Sequence, residues 1–281
     1  MRFLLHGLAA LSLAAAGPVF TAFPGQDAEP RAWTESSVPR MGSAEAQLAH
    51  ARRLKREMIA KRGDELATWR RLTVEAYRAV RLFHPEAGAL AVESAFRAGE
   101  ILRAGGDEAR ALCEFRWAAQ HGPEGEFHTR AQLEIGHLER RALRWREALG
   151  AYLDVAGDPQ ASAARREDAW LWAGTSWKAL GHLEDARDAW RRVAEHGTDP
   201  LARITAFDEL ALSFLDEHEL EGAAGVLDQC LRALSASALE ESEQGERVRN
   251  ALLRMRVVEE LAHAIARRKD SSVEQGTPRK S

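Results

Sequence analysis

One period governs the middle of this 281-residue chain. Gly99, Gly136, Gly174 and Ala211 follow one another at intervals of 37, 38 and 37 residues. Twelve residues after each stands an alanine: Ala111, Ala148, Ala186 and Ala223. Four further on comes a bulky apolar side chain, Phe115, Tyr152, Trp190 or Leu227, and three beyond that Ala118, Val155, Val193 or Cys230. A fixed period of about 20 to 50 residues marks a stacked array, in which each unit buries its apolar face only against its neighbours. Arrays of this kind present extended binding surfaces, so the period directs attention to partners before catalysis.

The third unit is the most complete: Trp170-x2-Ala173-Gly174-x2-Trp177, then Gly181, Leu183, Ala186-x3-Trp190 and Pro200. This resembles the tetratricopeptide repeat, two antiparallel helices read as W-x2-L-G-x2-Y…A-x3-F…P. Gly174 and Ala186 are small enough to let two helices approach, with Trp170, Trp177 and Trp190 filling the space around them. Gly181 can take the left-handed conformation that ends a helix, and Pro200 marks the link to the next unit. Unit two keeps Ile135, Gly136, Trp145, Ala148, Tyr152 and Val155, with Trp145 expected at a core position of the repeat. Unit one keeps Ala98, Gly99, Leu102, Ala111, Phe115, Ala118 and Pro123, and unit four keeps Phe207, Leu210, Phe214, Leu220, Ala223 and Leu227. The resemblance implies an all-α, right-handed α-solenoid of helix-turn-helix repeats over residues 89–234. A degenerate unit precedes it over residues 44–88, with Thr73, Tyr77, Val80 and Pro85 at second-helix spacing.

The period exceeds the usual repeat of about 34 residues, and the surplus falls in loops such as 157–166. Lengthened spacing of this kind is similar to that of periplasmic tetratricopeptide proteins, such as the Tol–Pal coordinator and the lipoprotein of the outer-membrane β-barrel assembly machine. The N-terminus agrees with export. Arg2, the apolar stretch Phe3 to Ala16 and the small residues Ala14 to Ala16 or Phe20 to Ala22 have the layout of a cleavable signal peptide, placed at residues 1–22. The apolar run is shorter than the roughly 20 residues a membrane span needs, and no cysteine near it offers a lipid attachment point. Residues 23–43 read as a flexible, proline-bearing leader. The expected location is periplasmic or secreted.

After Arg232 the repeat ends. Val248, Leu252, Met255, Val258, Leu261, Ala262 and Ile265 form a one-sided stripe at helical spacing. The stripe is read as one capping helix within residues 235–269, because a solenoid needs a terminal element with a polar outer face; a coiled-coil partner helix is the alternative. Residues 270–281 are a polar tail.

Charge is unevenly spread. Residues 52–71 carry eight basic and three acidic side chains, and residues 205–246 carry eleven acidic and one basic. One reading is two solvated faces; the other is a bipolar molecule whose ends recognise different partners or each other, the second giving self-association. Nucleic acid is not an expected partner, since the basic run lacks interleaved aromatics. Cys113 and Cys230 both fall in second helices and are read as small buried apolar residues.

Few constellations point to chemistry. Glu134/His137 and Glu260/His263 have the Glu-x-x-His spacing of di-iron bundles, but they lie in different parts of the array and lack the two further glutamates. No phosphate loop, nucleophile elbow or zinc-protease helix is present. Acidic pairs such as Asp107-Glu108 and Glu184-Asp185 open second helices, where they complement the dipole. No cofactor, metal or catalytic residue is therefore assigned.

The expected activity is binding of a peptide or partner protein in a concave groove formed by the first helices. Helical phase places Phe96, Glu100, Arg103, Leu133, His137, Arg140, Leu171, Thr175, Lys178, Asp208, Leu212 and Leu215 along that groove. Arg103, Arg140 and Lys178 would form a central basic stripe, and Leu133, His137, Leu171 and Trp172 would add contact area. Phe96 and Glu100 stand where some family members carry the Lys and Asn of a carboxylate clamp, which argues against a chaperone-tail ligand.

Overall fold

The computed structural model describes residues 38–121 and 125–265. The expected signal peptide, residues 23–37 of the leader, and the tail lie outside the described residues. Five antiparallel helix pairs follow one another: α1 (Ala44–Ile59) with α2 (Gly63–Phe83), α3 (Ala89–Ala104) with α4 (Glu108–Gln120), α5 (Glu126–Arg141) with α6 (Trp145–Gly157), α7 (Ala163–Ala179) with α8 (Leu183–His196), and α9 (Pro200–Asp216) with α10 (Leu220–Leu239). Then comes α11 (Glu243–Leu253). Each helix packs mainly on the one before and the one after, and no strand occurs among the described residues. First helices of successive pairs also touch one another, α1 on α3, α3 on α5 and α7 on α9, whereas second helices meet mainly first helices. The first helices therefore form the tighter, inner layer of an all-α solenoid.

Inside each pair one close approach sets the geometry. An ideal Cβ built on Gly99 would lie 2.6 Å from Phe115 Cε1, one on Gly136 2.5 Å from Tyr152 Cε1, and one on Gly174 2.4 Å from Trp190 Nε1. The aromatic ring of the second helix thus rests on the bare backbone of the first. Phe115, Tyr152 and Trp190 are fully buried. Trp190 also donates from Nε1 to the Leu171 carbonyl at 3.2 Å, so its polar atom is satisfied. Unit four makes both changes at once, Ala211 for the glycine and Leu227 for the ring. A larger first-helix residue is matched there by a smaller second-helix one.

The turn within each pair repeats as faithfully. Gly106, Leu143, Gly181 and His218 all have positive φ, at 82°, 59°, 83° and 63°. In each case the following amide reaches the carbonyl five residues back at 2.9 Å, as in Asp107 to Leu102 and Arg144 to Glu139. This satisfies carbonyls left open at a helix end. Glycine takes this conformation without strain, and Leu143 and His218 take it at a cost of roughly 1–2 kcal/mol.

Buried charges tie neighbouring units. Glu114 on α4 receives Arg78 at 2.5 Å and Arg81 at 2.6 Å, both from α2. Glu139 stands where Leu102, Trp177 and Phe214 stand in the other units; it is fully buried and is held by Arg116 at 2.6 Å and by Arg144. Glu167 on α7 accepts from Thr198 N at 2.7 Å, Thr198 Oγ1 at 2.8 Å and Asp199 N at 3.3 Å, which fixes the loop into α9. Asp199 then caps α9, with Pro200 at its first position.

Three expectations are corrected here. The C-terminal stripe does not form one helix: α10 runs on to Leu239, α11 covers Glu243–Leu253, and the chain turns at Arg254–Met255 before helical residues 256–265. Asp208 causes the break, accepting from Val257 N at 2.9 Å and Arg256 Nε at 3.1 Å, so that a new helix starts over α9. Cys113 is exposed, not buried, because it falls on the outer face of α4. Cys230 is buried against Met255, and burial pushes its thiol up to about 12. Trp145 opens α6 half-buried and outside the apolar core.

Two stability outcomes follow. Gly136→Ala should cost about 1–3 kcal/mol, since the new methyl cannot coexist with the Tyr152 ring. Combined with Tyr152→Leu, which copies unit four, its cost should shrink; strictly additive losses in urea unfolding would contradict the ring-on-glycine account. Leu143→Gly should gain about 0.5–1 kcal/mol, the relieved strain less the entropy of a new glycine.

Candidate partner-binding face

The inner layer is built by side chains that point along it from one first helix to the next. Arg103 Nε on α3 lies 3.3 Å from Glu134 on α5, and Lys178 on α7 lies 2.6 Å from Asp216 on α9. Upstream, Arg52 and Lys55 of α1 reach Glu93 and Glu100 of α3 at 2.6 and 3.5 Å. The expected basic stripe is thus broken into local pairs. Exposed pairs of this kind contribute little to stability, but they remove much of the free positive charge the sequence offers.

Arg140 is the exception. Among the described residues no carboxylate pairs with it and its buried Nε has no hydrogen-bond partner; its guanidinium lies over the Trp172 ring, 4.2 Å from the centroid. His137 meets the same ring edge-on at 5.7 Å, and its Nδ1 is 2.9 Å from the Tyr152 hydroxyl. Trp172 donates from Nε1 to Asp168 at 2.9 Å. Helices α5 and α7 lack the close backbone approach of α3 with α5 or of α7 with α9. This cluster fills that wider gap; the loop between α6 and α7, residues 158–162, is no longer than 84–88, so the surplus expected over 157–166 does not fall there.

Burial sets the ionisation of the cluster. Desolvation, aided by Arg140 and Arg103, holds the His137 imidazole down at about 4. Desolvation also raises the carboxyls of Glu134 and Asp168 above their usual range, against the pull of Arg103 on the first and the Trp172 hydrogen bond on the second. A group of ionisable side chains displaced by burial, centred on a half-buried tryptophan, has the makings of a recognition site.

The seven residues expected at the partner site separate accordingly. His137, Arg140 and Trp172 come together. Arg103 and Lys178 lie at the surface on either side, each in an ion pair. Leu133 is corrected: it is buried among Tyr152, Ala169 and Ala173, on the core side of α5. Leu171 packs half-buried against the core beside Trp190 and contributes its carbonyl there. Of the wider lining, Phe96 is fully buried against Phe115, and Asp208 is almost buried as a helix cap. Helical phase alone placed these residues one side too far, because long side chains lean toward the helix N-terminus and cover the preceding turn. Asp168, which orients Trp172, was missed; its spacing of four from Trp172 was the available signal.

The Glu-x-x-His pairs do not assemble a metal centre. Glu134 serves Arg103, His137 serves Tyr152, and among the described residues no group of three ligating side chains gathers. No described helix is long and apolar enough to cross a membrane.

The His137 geometry predicts a sign for pH dependence. The folded imidazole stays neutral below the unfolded value of about 6.5, so its contribution is present above that pH and is lost progressively toward pH 4. Raised carboxyls at Glu134 and Asp168 act in the opposite sense over an overlapping range. The discriminating measurement is therefore relative: the stability of wild type over His137→Gln should decline between pH 7 and pH 4.5, and the His137 ring protons should titrate near 4 by NMR.

No protein-family model matches the chain, and no curated protein matches it. Among solved structures, MamA from Desulfovibrio magneticus RS-1, residue 41 to its end, is 16% identical, with 72% of this chain and 100% of that one covered and a TM-score of 0.51. The nearly identical TPR-like repeats of a Podosopora anserina kinesin light chain are 15% identical over 72% of this chain and 100% of theirs, with a TM-score of 0.48. BtubC from P. vanneervenii is 16% identical over 86% of this chain and 97% of its own, with a TM-score of 0.47. At these identities the likeness concerns the fold. The MamA likeness, the in-phase repeat motif and the helix-pair geometry agree on one fold, an α-solenoid of tetratricopeptide-like helix pairs.

Proposed function

We propose that the chain is a non-enzymatic adaptor that holds a segment of a partner protein against its inner helical layer. The carrying observation is the Arg140–Trp172–His137 cluster. It offers a half-buried tryptophan and a cation with no carboxylate partner among the described residues, between two first helices, on the layer where a solenoid presents its surface. The ligand that fits is an extended or helical segment with an apolar side chain for the tryptophan and a carboxylate for Arg140. Export to the periplasm or beyond belongs to the same proposal; it rests on the layout of Arg2, Phe3–Ala16 and the small residues after them.

Self-association through oppositely charged ends is the alternative reading, and part of that charge is satisfied within the chain. Arg52 and Lys55 at one end, and Asp208, Glu209, Asp216 and Glu217 at the other, are engaged within the chain.

The test is crosslinking and pull-down of the native chain from cell-envelope and cytosolic fractions, followed by kinetics with the partner recovered. Trp172→Ala should speed dissociation by about 2 kcal/mol if the ring is a hot spot. Arg103→Glu with Lys178→Glu should chiefly slow association and change its salt dependence. Because Trp172 also packs on the core, circular dichroism must show the variant folded. Wild-type binding by both folded variants would remove the assignment to this face.

A further inference from the structure

A groove lies at the C-terminal end of the inner layer, where the last repeat meets the helical residues that follow it. Helical residues 256–265 do not simply cover the last unit; they cross α9 and leave a groove of about 860 Å³ between the two. Its apolar lining includes Leu212 and Leu215 of α9, Leu220 of α10 and Ala264 of the crossing helix. The groove is built and not a gap left by poor packing. One wall is pinned by Asp208, which caps the crossing helix, and by Arg256, which pairs with Glu209.

Its charge is the opposite of the one expected for the inner layer. Glu209, Asp216, Glu221, Glu259 and Glu260 line it against Lys178 and Arg256, a balance of five acidic to two basic. Arg256 is spent on Asp208 and Glu209, and Lys178 on Asp216. Glu259 and Glu260 stand exposed on the crossing helix. A mainly polar, acidic lining with Leu212, Leu215 and Leu220 set in it matches a cationic amphipathic segment, with aliphatic side chains for the leucines and Lys or Arg for the acidic residues. The chain's own last residues carry suitable charge at Arg279 and Lys280, but Val273 is the one large aliphatic side chain in residues 270–281, so they offer nothing to cover three leucines.

We propose that the groove between α9 and residues 256–265 docks a basic amphipathic segment of a partner protein. The proposal rests on the adaptor reading and shares Lys178 with it, but Glu259 and Glu260 lie outside the Arg140–Trp172–His137 cluster, so variants at the two places can fail independently. The probe is a fluorescein-labelled 15-residue peptide with leucine at helical spacing i, i+3, i+4 and lysine elsewhere, compared with a twin bearing glutamate for lysine. Binding to the full chain is read by fluorescence anisotropy at low and high salt. The lysine peptide should bind, weaken as salt rises, and lose at least tenfold in affinity to the double variant Glu259→Lys/Glu260→Lys. The equally acidic pair Glu243→Lys/Glu246→Lys, on α11 and away from the groove, should leave affinity unchanged, as should Arg140→Glu. Equal losses at both acidic pairs would show diffuse charge attraction and overturn the proposal. So would binding that occurs only after removal of residues 270–281, which would assign the groove to the chain's own tail. A dimer in light scattering that the Glu259/Glu260 variant dissolves would assign it to a second copy and likewise overturn it. If the peptide fails while a native partner still depends on Trp172, the adaptor reading stands and this groove does not.

Discussion

The contact on which the solenoid depends is an aromatic ring lying on a glycine. Phe115 on Gly99, Tyr152 on Gly136 and Trp190 on Gly174 bring paired helices closer than any side chain at the glycine would allow. Because the ring is fully buried, the contact also removes a large apolar area from water. The alanines twelve residues later, all fully buried, keep the second helix near along its length. The Ala211 and Leu227 pair shows that the constraint is on combined volume and not on glycine itself.

Between units the glue is electrostatic as much as apolar. Glu114, Glu139 and Glu167 are buried carboxylates, each saturated by donors from a neighbouring helix or loop. Removing one partner would strand a buried charge, which is costly. Replacing a whole network with apolar groups need not be. Such networks fix the stagger of one helix pair on the next, which plain hydrophobic stacking would leave free to slide. That stagger places Arg140 over Trp172 and lines up the first helices as one surface.

Much of the architecture was legible, because a repeat announces its helices several times over. Gly181 with positive φ, Pro200 at the start of α9 and Cys230 in a buried slot all follow from their place in the period. The surface was read less well. Leu133 and Phe96 went to the groove on helical phase and lie in the core, since a half-turn of lean separates a lining residue from a packed one. Arg103 and Lys178 were read as free cations, yet their partners Glu134 and Asp216 sit 31 and 38 residues away, one unit along. Pairing across that distance depends on stagger, which no local pattern encodes.

The sequence by itself determined the unit: two helices, a left-handed turn between them, and a ring matched to a small residue. Each depends on residues close together in one period. Tertiary structure decided which charges remain available and where the array stops. The stripe from Val248 to Ile265 was compatible with one capping helix until Asp208, some fifty residues earlier, captured the backbone of Val257 and started a second one. An acceptor contributed by a distant helix redirected the chain across α9 and created the acidic groove.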